Sequence, residues 1–211
     1  MGPIREYTDF GDIVMRVAEL PIESASGPRV RRFTREDFYR MSEAGVIPDR
    51  NVELLDGEII EMAPQRDPHA LCVVFTDYAL RRVFGDGYTI RVQLPFEISG
   101  VSQPEPDVVV LAGSPRTHAG HPTTALLVIE VADTSIDYDR KRKARAYAEA
   151  GIQDFWIVNL NRRCVEIHRH PAVHQGNVSH QYTDIQIISP PSTISPLALP
   201  DARILVSDLL P

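Results

Sequence analysis

Cysteine is scarce in this chain of 211 residues. The two present, Cys72 and Cys164, sit inside apolar patterns at no metal-knuckle or redox-pair spacing, which excludes a disulfide framework or a cysteine-held metal as the organising feature. They read as buried free thiols. No apolar run approaches the roughly 20 residues of a membrane span. The N-terminal MGPIREYTDFGDIVMRVAEL has acids where a secretory signal would have an unbroken apolar core, so a cytoplasmic protein with no membrane partner is expected. Also missing are an internal repeat, a glycine-rich phosphate loop, and any CxxC pair. Positive charge is in deficit: 22 Lys and Arg against 29 Asp and Glu leave a net charge of −7. Such a chain is repelled by nucleic acid unless its basic residues gather on one face.

What is present is a chain 43% hydrophobic and 24% charged, the composition of a globular protein with a sizeable core. Residues 1–28 have weak periodicity and end in SASGPR; they are expected to form an arm on a single domain spanning 29–211. The core of that domain is expected over about 33–170, with peripheral strands or a subunit contact over 171–211. Basic residues cluster at Arg29, Arg31, Arg32 and Arg35, and again at Arg140, Lys141, Arg142, Lys143 and Arg145. Such a run makes either a solvated helix face or a phosphate-binding one.

Local signals place the elements. Thr34 with Asp37 three residues on forms a capping box for a helix in FTREDFYRMSEAG, stopped at Gly45. Asp56-Gly57 inside NVELLDGEIIEM marks a hairpin. Alternation along its first strand makes Glu53 either an exposed edge charge or a third inward acid. Asp67-Pro68 is expected to open, as N-cap and N1, a helix that runs to Gly85 with His69 in its first turn, a position that usually belongs to the surface or to a cap. YTIRVQLPFEI then supplies a strand that meets a proline.

Residues 106–160 carry the candidate chemistry. DVVVLA and ALLVIEV are almost wholly apolar, as strands buried on both faces are, and so require helices above and below the sheet. Each holds one acid that hydrophobic patterning does not call for: Asp107 and Glu130. Paired antiparallel about a midpoint near residues 118 and 119, the two strands bring position 107 opposite a position close to 130. A helix from about Asp139 to Ala150 follows, with Lys143 and Tyr147 on one face and Arg140 a turn earlier on much the same side. DFWIVNL and CVEIHRH then form an antiparallel pair, and YTDIQII and ARILV are further strand candidates. Asp107 and Glu130 suffice to hold a magnesium ion that keeps several waters, and a nearby lysine completes the parts of a phosphodiesterase. On periodicity alone an equal reading is structural, with Asp107 capping a loop and Glu130 paired to Lys143 or Arg140.

From Phe33 to about Asn159, through FTREDFYRMSEAGVIPDRNVELLDGEII, PEPDVVVL, LLVIEVADTS and KARAYAEAGIQDFWIVNL, the chain resembles a family of restriction-endonuclease-like proteins in the PD-(D/E)XK superfamily. Pro106, Asp107 and Glu130 match the superfamily signature. Ala132 stands where its lysine would, and the basic residue moves to the next helix as Lys143. The resemblance implies an α/β fold, a restriction-endonuclease-like three-layer α/β/α core around a central mixed β-sheet. It further implies Mg²⁺, or Mn²⁺, held by Asp107, Glu130 and the Val131 carbonyl, with Lys143 and Glu53 also catalytic and Arg140, Tyr147 and His69 binding substrate. DNA is the implied substrate and a homodimer or higher oligomer the implied state. The competing expectations are a nuclease-fold oligomeric or regulatory DNA-binding protein without cleavage, and a structural metal site with no nucleic-acid partner.

Overall fold

The computed structural model describes residues 28–48, 50–173 and 179–211; apart from its last residue, the arm expected over 1–28 lies outside them. Arg31–Pro211 is one compact unit, and the fold below is that of its described residues.

The unit opens with helix α1 (Arg35–Glu43). Thr34 Oγ1 accepts from the Asp37 N–H at 3.1 Å while the Asp37 carboxylate accepts from the Thr34 N–H at 3.0 Å, the reciprocal cap expected from TRED and worth about 1 kcal/mol. Strands β1 (Val52–Leu55) and β2 (Glu58–Glu61) pair antiparallel around Asp56 and Gly57, at φ 55° and 71°. Two successive positive φ values are what a tight two-residue hairpin turn requires. A Cβ on Gly57 would also lie 2.7 Å from the Arg32 Cβ, so only glycine fits.

Helix α2 (Asp67–Phe84) ends at Gly85 as expected, but its N-cap is Arg66 rather than Asp67. Asp67 is already helical, where its charge favours the N-terminal end of the dipole. Next come β3 (Tyr88–Val92), β4 (Val108–Ala112) and β5 (Leu127–Ala132). The following helix differs from the sequence-based boundaries: it begins at Ile136 as α3 (Ile136–Tyr138), passes through a π-turn over Asp139–Lys143 and continues as α4 (Ala144–Glu149). Then follow β6 (Asp154–Asn159), β7 (Cys164–Val173), β8 (His180–Ile188), and the short β9 (Thr193–Ile194) and β10 (Ile204–Leu205).

Six strands form one mixed sheet in the order β3-β4-β5-β6-β7-β8, with β5 and β6 parallel and the other neighbours antiparallel. The YTDIQII strand, expected in a separate peripheral sheet, is therefore the edge of the main one, because β7 is long enough to pair with it along nearly its whole length. The final segment also packs inward: Ile194, Ile204, Val206 and Leu209 share a core with Cys72, Leu80 and Phe84 of α2 and with Ile129, Val131 and Trp156 of the sheet. On the opposite face Ala144, Tyr147 and Ala148 of α4 cover Val109, Val128, Phe155 and Ile157. Helix, sheet and helix make the three layers, as the fully apolar central strands require. Each buried Leu, Ile, Val or Phe contributes about 1.5–3 kcal/mol, so the α2 and α4 layers hold the sheet, and with it the acids at its end, in place. Cys72 and Cys164 are buried free thiols.

Candidate active site

The register of β4 on β5, Val108↔Ile129 through Val110↔Leu127, leaves Asp107 and Glu130 one step further out on each strand, side by side at one end of the sheet. Both line a pocket of about 670 Å³ shared with Glu53, His69, Asp139 and Lys143.

The Asp107 carboxylate accepts from the Val131 N–H at 2.8 Å and from the Gln93 side-chain amide at 3.0 Å, and lies 3.3 Å from His69 Nε2. Burial would raise its pKa, but His69, Gln93 and the Val131 N–H hold it below the ordinary carboxylate value. For His69, burial pulls the other way from Asp107 and the Val131 backbone, and the net shift is upward. Gln93 reaches Asp107 from a backbone with φ of 50°. That conformation is costly for a non-glycine residue, and such strain gathers at functional positions.

Glu130 shows the opposite balance. Its Oε1 accepts from Lys143 Nζ at 3.0 Å and from the Tyr147 hydroxyl at 2.6 Å. Burial pushes its pKa up; Lys143 counters, Asp107, Asp139 and Glu53 add to the rise, and the group titrates at about 8. Asp139 is pushed by burial to about 6, although Lys143 and the Ser135 hydroxyl, 2.6 Å away, pull it down. Lys143 feels burial as a pull downward, but Glu130, Glu53 and Asp139 hold its pKa well above the ordinary value, so the ammonium stays charged.

The π-turn aims these groups. It inserts one extra residue per turn, through a bond from the Ala144 N–H to the Asp139 carbonyl, and buries Asp139 and Lys143 together. Arg140 is turned away to β7, where it holds Glu166 through bonds of 2.6 and 2.8 Å. It does not share Lys143's side of the helix, because the periodicity of 3.6 used for that expectation fails inside a π-turn. Tyr147 has 0% of its surface exposed; it stands behind Glu130 and faces no solvent from which a substrate would approach.

Glu53, on β1, is an inward acid rather than an edge charge. Its carboxylate lies 3.4 Å from Lys143 Nζ, accepts from the Tyr138 hydroxyl at 2.7 Å and from the Glu105 N–H at 3.3 Å. These partners come from distant segments, so a four-residue strand pattern cannot reveal them. Unlike Glu53, the residues Glu105, Asp139, Gln93 and Tyr138 are not singled out by the sequence reading. The available signal was Asp139 four residues before Lys143, the spacing of neighbours on one helical side.

The basic run does not make a free face. Arg142 pairs with Asp56 and Glu58, at 3.3 and 2.7 Å, Arg145 with Asp56, and Lys141 with Asp137 at 3.9 Å. The cations left at the pocket mouth are Arg50 and Arg66. Among the described residues no three His, Cys, Asp or Glu side chains are grouped to hold a metal by themselves, and no helix is long and apolar enough to cross a membrane.

Residues 35–207 match the model of a family, Uma2, described as "Putative restriction endonuclease". Among solved structures, a "putative nuclease belonging to DUF820" from Anabaena variabilis ATCC 29413 superimposes with a TM-score of 0.62 at 15% identity, covering 84% of this chain and 97% of its own. At that identity the likeness is one of fold. Among curated proteins there is no significant match.

Proposed function

The chain belongs to the Uma2 family of restriction-endonuclease-like proteins, and from that premise we propose that it is a metal-dependent DNA endonuclease that hydrolyses phosphodiester bonds with Mg²⁺ or Mn²⁺. One observation carries the reading: the buried acids Asp107, Glu130, Glu53 and Asp139 meet, among the described residues, the one buried cation Lys143 at this pocket, and burial, with the neighbouring acids adding to it, pushes Glu130 to about 8. An excess of oxygen donors with uncompensated charge is the environment a hard divalent cation offsets.

Asp107, Glu130 and the Val131 carbonyl would hold the ion, and water and substrate phosphate would supply its other oxygen donors. Once bound, such an ion acidifies water and withdraws charge from phosphoryl oxygens. The rest is work for this chain's own side chains. His69, Gln93 and the Val131 N–H hold the Asp107 carboxylate ionised and oriented. Tyr147 fixes one Glu130 oxygen. Lys143, kept charged by Glu130 and Glu53, donates to the attacking water or to the oxygens of the pentacovalent phosphorus, where a fixed positive charge stabilises the transition state more than the ground state. Glu53 positions Lys143. Arg50 and Arg66, at the mouth, meet the DNA backbone.

A non-cleaving, oligomeric or regulatory role is favoured by one finding: acids neutralise the basic helix of a chain already at −7, which leaves few cations to grip a DNA substrate for cleavage. Incubating plasmid with the protein, with and without Mg²⁺ or Mn²⁺, beside Glu130→Ala and Lys143→Ala, decides between them. Nicking that needs the metal and vanishes in both variants supports the endonuclease. Binding without nicking under every condition supports the regulatory role.

A further inference from the structure

Helix α2 buries one side in the core through Cys72, Val73, Thr76, Ala79 and Leu80. Its other side is unusually apolar. Leu71, Val74, Phe75 and Tyr78, at spacings of three and four that make one stripe, are 47%, 61%, 36% and 64% exposed. Contiguous apolar surface of this kind marks an interface more often than a wetted face.

The stripe is also its own complement. About a point midway between Val74 and Phe75, Leu71 mirrors Tyr78 and Asp67 mirrors Arg82. Turned through a two-fold axis at that point, one α2 laid antiparallel on another sets Val74 against Phe75, Leu71 against Tyr78, and the acid at each helix start against the arginine at the other's end. Arg82 stacks on its own Tyr78 ring, 5.7 Å from the centroid, and neither Asp67 nor Arg82 forms an ion pair with a described residue. Both charges remain available to a partner. Closed two-fold pairs require such self-complementarity.

We propose that this face of α2 is the two-fold interface of a homodimer, occupied by α2 of a second copy of the chain in antiparallel register. The pairing stands whether or not the pocket cleaves DNA, since none of the stripe residues lines it.

Sedimentation velocity of the full chain, diluted through ~1 μM, provides the test. Wild type sediments as a dimer, and Val74→Glu weakens association by about a hundredfold or more, as burying a lone charge at the centre of an interface does. Asp67→Arg and Arg82→Asp each weaken it by roughly tenfold. The double variant, which restores opposite charges in the antiparallel register, recovers most of the loss. Thermal unfolding shows that each variant remains folded. A wild-type monomer throughout, a dimer indifferent to Val74→Glu, or a double variant as weak as the sum of its singles would each overturn the proposal.

Discussion

At the start of β6, Asp154 is fully buried and accepts from the Arg169 guanidinium, the Trp156 indole N–H and the Leu197 N–H, three of these bonds at 2.8 Å. At the opposite end of the sheet Glu130 is as deeply buried, yet it shares one ammonium with Glu53 and faces Asp107 and Asp139. The parallel pairing of β5 with β6, from Val128↔Phe155 to Ala132↔Asn159, sets these two acids at opposite ends of the same layer. Around Asp154 donors meet the carboxylate, and the result is structural: Arg169 also holds the Ser195 carbonyl at 2.7 Å, tying the C-terminal segment to the sheet. Around Glu130 the donors fall short. Burial alone therefore does not distinguish a strut from a site; the balance of charge around the buried group does.

The largest expected effect separates the two ends directly. Glu130→Gln should lower metal-dependent nicking by roughly a thousandfold or more with no loss of unfolding temperature, since it relieves repulsion among the acids. Asp154→Asn should leave activity per folded molecule intact but cost about 3–5 kcal/mol in a denaturant melt, because Arg169 loses its buried counter-charge. Equal effects of the two on both readouts would remove the distinction.

Lys143→Met comes next, with nicking reduced by roughly a hundredfold or more. A pH dependence sharpens the same contrast. Glu130 binds its proton in the folded protein up to about 8, against 4.5 ordinarily, so across that window the folded state holds more protons than the unfolded and stability falls as pH rises. His69, also shifted upward, acts in the same direction. His168, pushed by burial down to about 4, opposes them only below its ordinary range. Between pH 6.5 and 8 the metal-free protein should therefore lose roughly 1–2 kcal/mol, and Glu130→Gln should flatten the curve.

The smallest effect concerns DNA. Arg50→Gln and Arg66→Gln should each reduce the salt slope of binding by about 1. Arg140→Gln should leave the slope nearly unchanged and instead destabilise the fold, because its guanidinium is committed to Glu166. A slope that responds to Arg140 and not to Arg50 would return DNA binding to the basic helix.

Asp107 and Glu130 were legible because an acid inside a wholly apolar strand stands out, and because antiparallel pairing through a loop of known length sets which positions meet. The capping box at Thr34 and the Asp56-Gly57 turn were legible because their causes are local. Glu53 was legible only through the family resemblance: on a four-residue strand an inward and an outward acid read alike, and its burial depends on Lys143, Tyr138 and Glu105. Arg140 was misplaced because the π-turn shifts the phase of the helix between it and Lys143, whereas Lys143 and Tyr147 share a face as expected and meet at the same Glu130 oxygen. The tail was read as peripheral because short strands interrupted by prolines show no periodicity, although β8 completes the main sheet and the last residues close the α2 core.

Taken alone, the order of residues determined which segments are strands and helices, that the central strands are covered on both sides, and that two acids lie inside them. Those outcomes follow from hydrophobic period and backbone chemistry within a few residues. The count of charges that meet at the pocket, and which arginines are already neutralised, belong to the tertiary structure, because Coulomb interactions and desolvation act between groups that only folding brings within a few ångströms of each other.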